Sequence, residues 1–416
     1  FLGNPQVIRA LRDLLPHCKQ QGKTLVILSP VLKIPVELEK DTVSLTLPLP
    51  TLEELGGILQ QAQKDAETTT GKPLEVTEFQ GLLEAAKGLT HAEAESAFAL
   101  AAVKYERLNG EAVTLVRNEK AAALKRSGLV TWVEPSVSLD KIGGLKRLKS
   151  YLQSLAPLFH DPEGALRFGF KPEDFPRSLL LVGPAGTGKS MTAEAIAQLL
   201  KCSCVRTDFA KMFGSKVGES EQNIETRNLL VEAQEPVVDW WDEAEKGLQG
   251  ASGKSEQNPW EARVGGTLLT WFEAHRKRIL VAATVNKPEL LAPEMLSRFQ
   301  KVFFVGLPSL TERMEIFQVQ LAYRGLTNLV IPKVLETLAM RTGGFSGREI
   351  RNVVQRGLQL AFARGRAVDK GLTLEDLERA AQSITPTSKL REGEFRALIT
   401  WAQDNSIESA NDEEES

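Results

Sequence analysis

From about residue 137 to residue 383, short apolar runs alternate with stretches whose apolar positions recur every three or four residues. A parallel sheet with crossover helices produces that alternation. SLLLVG at 178–183 reads as a buried strand and the following KSMTAEAIAQLLK as a helix, while CSCVRTDF, PVVDWW, RILVAAT and KVFFVGLP read as four further strands. After Thr311 the period is helical throughout. TERMEIFQVQLAYRG, KVLETLAMRTG and GREIRNVVQRGLQLAFARG each carry an apolar stripe with a glycine near the end, which predicts a small helical domain packed after the sheet.

The first 116 residues echo this pattern. TLVILSP at 24–30, Pro35-Val-Glu-Leu and VSLTLPLPTLEEL run in the same order as LVAATVN, Pro293-Glu-Met-Leu and KVFFVGLPSLTER, with one offset of 258 from Pro35 to Pro293 and from Leu49 to Leu307. GLTHAEAESAFALAA from Gly88 aligns with GFSGREIRNVVQRGL from Gly344 at an offset of 256. Residues 1–116 therefore read as the second half of a degenerate copy of the later module. Because the chain opens on Phe1, the first half of that copy is expected upstream. The polar stretch within 117–136 reads as a linker, 137–308 as the α/β core, 309–383 as the helical domain, 384–406 as a C-terminal helix and the acidic 407–416 as a disordered tail.

At 416 residues, with 42% hydrophobic and 25% charged positions, the chain is long enough for two or three domains and is not disordered as a whole. Fifty-one Lys and Arg against 54 Asp and Glu leave a net charge of −3, so no global positive field draws it to nucleic acid or anionic lipid. The basic clusters RNEKAAALKR and AHRKR read as solvated faces, with nucleic-acid contact the lesser alternative. No apolar run approaches the roughly 20 residues of a membrane-spanning helix, and no signal pattern opens the chain. Cys18, Cys202 and Cys204 are too few for a disulfide framework, which fits a reducing compartment such as cytosol or an organelle matrix. His17, His91, His160 and His275 have no metal-ligand spacing, and Trp240, Trp241, Trp260 and Trp271 read as packing residues.

GPAGTGKS at 183–190 matches G-x-x-x-x-G-K-[ST] between an apolar strand and a helix. Such a loop cradles nucleotide phosphates, because Gly183, Gly186 and Gly188 let the backbone curl at Pro184 so that the N–H groups of Ala185, Thr187 and Met191 face them. Lys189 is placed to reach the β and γ phosphates and Ser190 to ligate magnesium. About fifty residues later PVVDWWDEAEK ends an apolar strand in two acids. Asp242 is expected beside the magnesium and Glu243 to polarise the attacking water. Glu245 and Lys246 read as surface residues, and Asp239, inside the strand, has no explanation in the sequence.

With the loop, the acidic pair and the helical domain in this order, residues 137–383 resemble the AAA+ ATPases, which implies a P-loop NTPase sheet carrying an all-helical lid, preceded here by a partial degenerate AAA-like module. VSLDKIGGL at 137–145 resembles the segment whose Ile142-Gly143 backbone lies against adenine. SKVGESEQNI at 215–224 resembles the pore loop, Thr284-Val285-Asn286 the sensor strand, PEMLSRFQKVFFVGLP the arginine-finger segment and GGFSGREIRNVV the lid helix with the second sensor. GTLLTWF and DEAEKGL are similar to the uncharacterised AAA proteins of cyanobacteria and plastids. The resemblance implies that Asn286 orients the attacking water, Arg298 reaches a neighbouring subunit's site and Arg348 acts as a second sensor or lies on the surface. It also implies ATP and magnesium as ligands, a ring of six subunits, a protein partner, and a cytosolic or stromal location. Three departures stand out: Lys216 occupies the pore-loop aromatic position, the finger segment is short, and Lys40 and Ala92 stand in the first module where the second has Arg298 and Arg348. A nucleotide-controlled switch of slow turnover and a nucleic-acid remodeller are the alternative readings.

Overall fold

The computed structural model describes residues 4–28, 34–43, 45, 47–105, 107–212, 219–248, 259–274, 277–291, 293–364 and 371–412. Two very short strands, β1 (Glu75–Val76) and β2 (Arg107–Leu108), pair within the N-terminal helical unit. The main sheet contains β3 (Val130–Val133), β4 (Ser178–Val182), β5 (Ser203–Thr207), β6 (Val237–Trp241), β7 (Ile279–Val285), β8 (Lys301–Phe304) and β9 (Glu408–Ser409), in the order β3-β5-β6-β7-β4-β8-β9. The five central strands are parallel and are the five expected from the sequence. Helices cover both faces, so β4, β6 and β7 are buried along their whole length and are mostly apolar, while β5 keeps Arg206 exposed. The chain leaves β4 toward β5 on one side of the sheet and returns to β8 on the other, so the order reverses beside β4 and opens a crevice outside its carboxyl end.

Both edges differ from the sequence reading. Residues 117–136 are not a linker: helix Gly110–Ser127 runs through most of it, and β3 then pairs antiparallel with β5. Nor is 407–412 a disordered tail, because β9 adds to β8 and Ala410 is fully buried. A composition rich in acids hides a five-residue docking segment, 408–412, whose polar side chains have partners. Conversely, the apolar stretches at 23–28 and 47–50 form no strands. Leu28 and Leu47 are 93% and 92% exposed, and among the described residues no strand lies alongside to take their backbone groups.

Helices Leu52–Thr70, Phe79–Ala86, His91–Lys104 and Gly110–Ser127 enclose their own core of Leu55, Leu59, Leu82, Phe98 and Val116. Helices Leu310–Ala322, Pro332–Arg341, Gly347–Arg364 and Leu374–Gln382 form the second such unit around Phe317, Leu338, Ile350 and Val354. The repeat extends to the helix starts. Thr51 and Glu54 make a reciprocal capping box, as Ser309 and Glu312 do 258 residues later, and Thr90 with Glu93 matches Ser346 with Glu349 at 256. The first unit docks on the core through Leu124, which packs with Val130, Val205 and Val237. Lys87 donates to the Glu235 carbonyl beside it, and Gly88, at φ +88°, lies so close to Gln234 that a Cβ there would come within 2.2 Å of its amide nitrogen. Among the described residues no helix is long and apolar enough to cross a membrane.

Candidate functional site

The turn from β4 to helix Lys189–Leu200 lies at the crevice, where residues 185–191 form one wall of a cleft of about 330 Å³. Lys189 is buried, and its ammonium donates to the carbonyls of Gly183 at 2.6 Å and Pro184 at 2.7 Å. Thr187 closes the turn by donating to the Pro184 carbonyl at 3.0 Å. Among the described residues no carboxylate pairs with the ammonium, so phosphate oxygens would replace two neutral acceptors.

Across the cleft the ends of β6 and β7 form a connected polar chain. Ser190 and Thr284 each donate to Asp242 Oδ1, at 3.0 and 2.9 Å, and the Thr284 hydroxyl accepts the Glu243 N–H at 3.1 Å. Glu243 adopts φ +51°, a left-handed conformation that costs a non-glycine residue about 1–3 kcal/mol and turns its carboxylate toward the cleft. Asn286 Nδ2 donates to Glu243 Oε1 at 3.4 Å, and Lys246 pairs with Oε2 of the same carboxylate. Glu245 is buried, contrary to the surface role read from the sequence. Its Oε1 accepts the Asn286 N–H at 3.2 Å, and burial raises its pKa. Thr284 was legible only as part of the strand motif, and nothing in local composition marks a hydroxyl as the link between both acids.

The lid completes the cleft with Ile316, Val319, Gln320, Gly347, Arg348 and Arg351, opposite Lys141, Ile142 and Gly143. Gly143 is required for this closeness, because a Cβ there would sit 2.6 Å from the Ile316 amide nitrogen. The Arg348 backbone N–H donates to the Gly186 carbonyl at 3.0 Å, tying the lid helix to the phosphate turn. Arg298 does not line this cleft. It is paired with Glu273 at 2.6 Å and about one-third exposed. Lys216 and Phe213 of the pore-loop segment lie outside the described residues, and Met212 is fully buried, so it is no surface grip.

Burial, reinforced by the nearby Arg348 charge, lowers the Lys189 pKa from 10.5 to about 8. The unfolded chain then holds a proton between these values that the folded chain has lost, so stability rises with pH across that window. Phosphate binding prefers the ammonium, so affinity runs the other way. ATP affinity is expected to be flat below pH 8 and to fall up to about tenfold per pH unit above it. Calorimetric titrations between pH 7 and 9.5 test this, with Lys189→Arg expected to remove the decline; an equally flat native profile refutes it.

A family model described as ATPase family associated with various cellular activities (AAA) matches residues 179–307. Two others, the N-terminal and second domains of SpoVK-like AAA ATPases, match residues 1–47 and 53–127. The AAA domain-containing protein ycf46 of Guillardia theta is 31% identical over 99% of this chain and 79% of its own length. The cell division cycle protein 48 homolog of Archaeoglobus fulgidus is 30% identical over 61% of this chain and 34% of its own length. Among solved structures, the FIGL-1 AAA domain in complex with ADP superposes with a TM-score of 0.53 at 22% identity, over 69% of this chain and 97% of that one.

Proposed function

Since this chain belongs to the AAA ATPase family, alongside the ycf46 proteins, and is an ATP-hydrolysing P-loop NTPase, we propose that it assembles into a six-membered ring and uses ATP turnover to remodel a protein partner. The observation that carries the reading is the hydrogen-bonded chain Ser190–Asp242–Thr284–Glu243–Asn286 facing the phosphate turn. Lys189 would hold the β and γ phosphates, and Ile142 and Gly143 would back the purine. Ser190 and Asp242 are the residues that would hold magnesium, which would neutralise charge on the phosphates. Glu243 would take the proton of the attacking water while Asn286 orients the two. Arg348 would report lid position, and Arg298 would act in a neighbour's site. The first module is read as structural, because Lys40 and Ala92 supply neither arginine. A plastid stroma fits the ycf46 relatives, and a cytoplasmic location is the alternative.

Replacing Glu243 by Gln tests the assignment. ATP binding is expected to remain within a few-fold of native while single-turnover hydrolysis falls about 10²- to 10⁴-fold. Hydrolysis within threefold of native removes Glu243 as the base. The pairing of Glu243 with Lys246 favours a second reading, a slow switch, since that carboxylate must leave its lysine before it can accept a proton. Under that reading Lys246→Ala accelerates hydrolysis; under the motor reading it does not.

A further inference from the structure

The last described residues reach the nucleotide cleft from behind. β9 carries the chain along β8, where Ala410 donates its N–H to the Phe304 carbonyl at 2.8 Å. Asn411 then sits on the hinge between core and lid. Its Oδ1 accepts the Gly306 N–H at 2.8 Å, and its Nδ2 donates to the Leu307 carbonyl at 3.4 Å and to Glu312 Oε2 at 2.8 Å. Asp412 adds an ion pair with Lys146 at 2.7 Å, accepts the Lys146 N–H at 3.0 Å, and donates its own N–H to Glu312 Oε1 at 3.3 Å.

Glu312 is the junction. It is 1% exposed, caps the first lid helix, and its Oε1 accepts the Leu145 N–H at 2.9 Å. Leu145 and Gly144 both adopt left-handed backbone, at φ +58° and +72°, and Glu315 accepts the Gly144 N–H at 2.8 Å. This turn presses Gly143 onto Ile316 and aims Ile142 into the cleft. A left-handed leucine persists only where its surroundings hold it, and here two lid carboxylates hold this turn. The amide of Asn411 orients the buried carboxylate that does most of that work.

We infer that Asn411 and Asp412 are positioning residues for the nucleotide: through Glu312 and Lys146 they set the Ile142–Gly144 wall against the lid. The inference rests on the nucleotide occupying this cleft. It makes the C-terminal segment part of the binding site without touching ligand, so its loss loosens the purine wall and the core–lid angle together.

The test is ATP and ADP affinity of the full chain carrying Asn411→Ala, and separately of a chain ending at Ile407, alongside unliganded melting and kcat at saturating ATP. Both variants are expected to bind ATP and ADP at least tenfold more weakly. For Asn411→Ala, melting without nucleotide is expected to stay within a few degrees of native and kcat within about twofold, so the loss falls on KM. Asn411→Asp, which sets a carboxylate against Glu312, is expected to bind more weakly than Asn411→Ala, and adding Glu312→Gln to recover part of the affinity. Native affinity in both Asn411→Ala and the shortened chain overturns the inference, as does an affinity loss seen only in a variant that also unfolds. A native chain that binds neither nucleotide refutes instead the assignment of the cleft.

Discussion

Replacing Arg298 by Ala is expected to lower ATP turnover by about 10³-fold or more and to abolish its rise with protein concentration, while leaving nucleotide affinity near native. The reason is geometric. Arg298 follows the short helix Pro293–Leu296, away from the cleft, and its guanidinium is held by Glu273 rather than by anything near Lys189. A charge so placed cannot meet the phosphates of its own subunit, yet it is partly exposed and available to another. If a neighbour's cleft receives it, the site becomes complete only on assembly, and head-to-tail contacts of that kind close into rings. Mixing decides the matter. Arg298→Ala and Glu243→Gln subunits are each expected to be nearly inactive alone, but if they form mixed rings a cleft with native Glu243 would face a neighbour with native Arg298. Recovered turnover on mixing requires action in trans. Native turnover in Arg298→Ala, or no recovery from subunits shown to co-assemble, removes Arg298 from the mechanism.

What the sequence revealed and what it concealed divide along one physical line. Local signals were legible: the glycine spacing of the phosphate turn, the acids ending an apolar strand, and the capping serines and threonines act within a few residues of chain. The five central strands were legible as short runs rich in apolar residues, most clearly β4 and β7, which burial on both faces makes almost continuously apolar. Contacts between distant segments were not. The docking of Ala410, Asn411 and Asp412 depends on groups about a hundred residues away or further, and an acidic composition argued for solvent. The run at 23–28 has the right residues for a strand but lacks a ladder, and a strand is a property of the pair, while at 47–50 Pro48 and Pro50 have no N–H to give one. Glu245 looked like one more surface acid beside Lys246, yet the turn after Glu243 rotates it inward, toward the Asn286 backbone.

Asp239 was the residue without an explanation, and its partner lies twelve positions earlier on helix Glu219–Glu232. Arg227 and Asp239 form an ion pair in which both side chains are fully buried. Asp239 also accepts from Thr207 at 2.8 Å and from the Trp241 indole at 2.7 Å, so its carboxylate is well provided with donors. Arg227 donates to Thr207 and Asn228, and its guanidinium faces the rings of Trp241 and Trp271 at 5.5 and 4.7 Å. Burial pushes the guanidinium pKa down to about 9, against the opposing charge of Glu232 on its own helix. Such a pair contributes little relative to a well-packed apolar core, but removing one partner strands the other charge in low dielectric. Asp239→Ala is therefore expected to cost about 3–5 kcal/mol in urea unfolding, whereas Arg227→Met combined with Asp239→Leu is expected to return to native stability or exceed it by about 1–4 kcal/mol. A single-variant cost under about 1 kcal/mol contradicts the burial argument. Because β6 ends at the Asp242–Glu243 pair, and helix Glu219–Glu232 begins within the 215–224 segment that resembles a pore loop, the double variant also asks what the charges are for. If they only stabilise, its turnover is native. We expect turnover to stay reduced, because a guanidinium with fixed donors aligns helix and strand in a way that methionine and leucine, sliding on one another, do not.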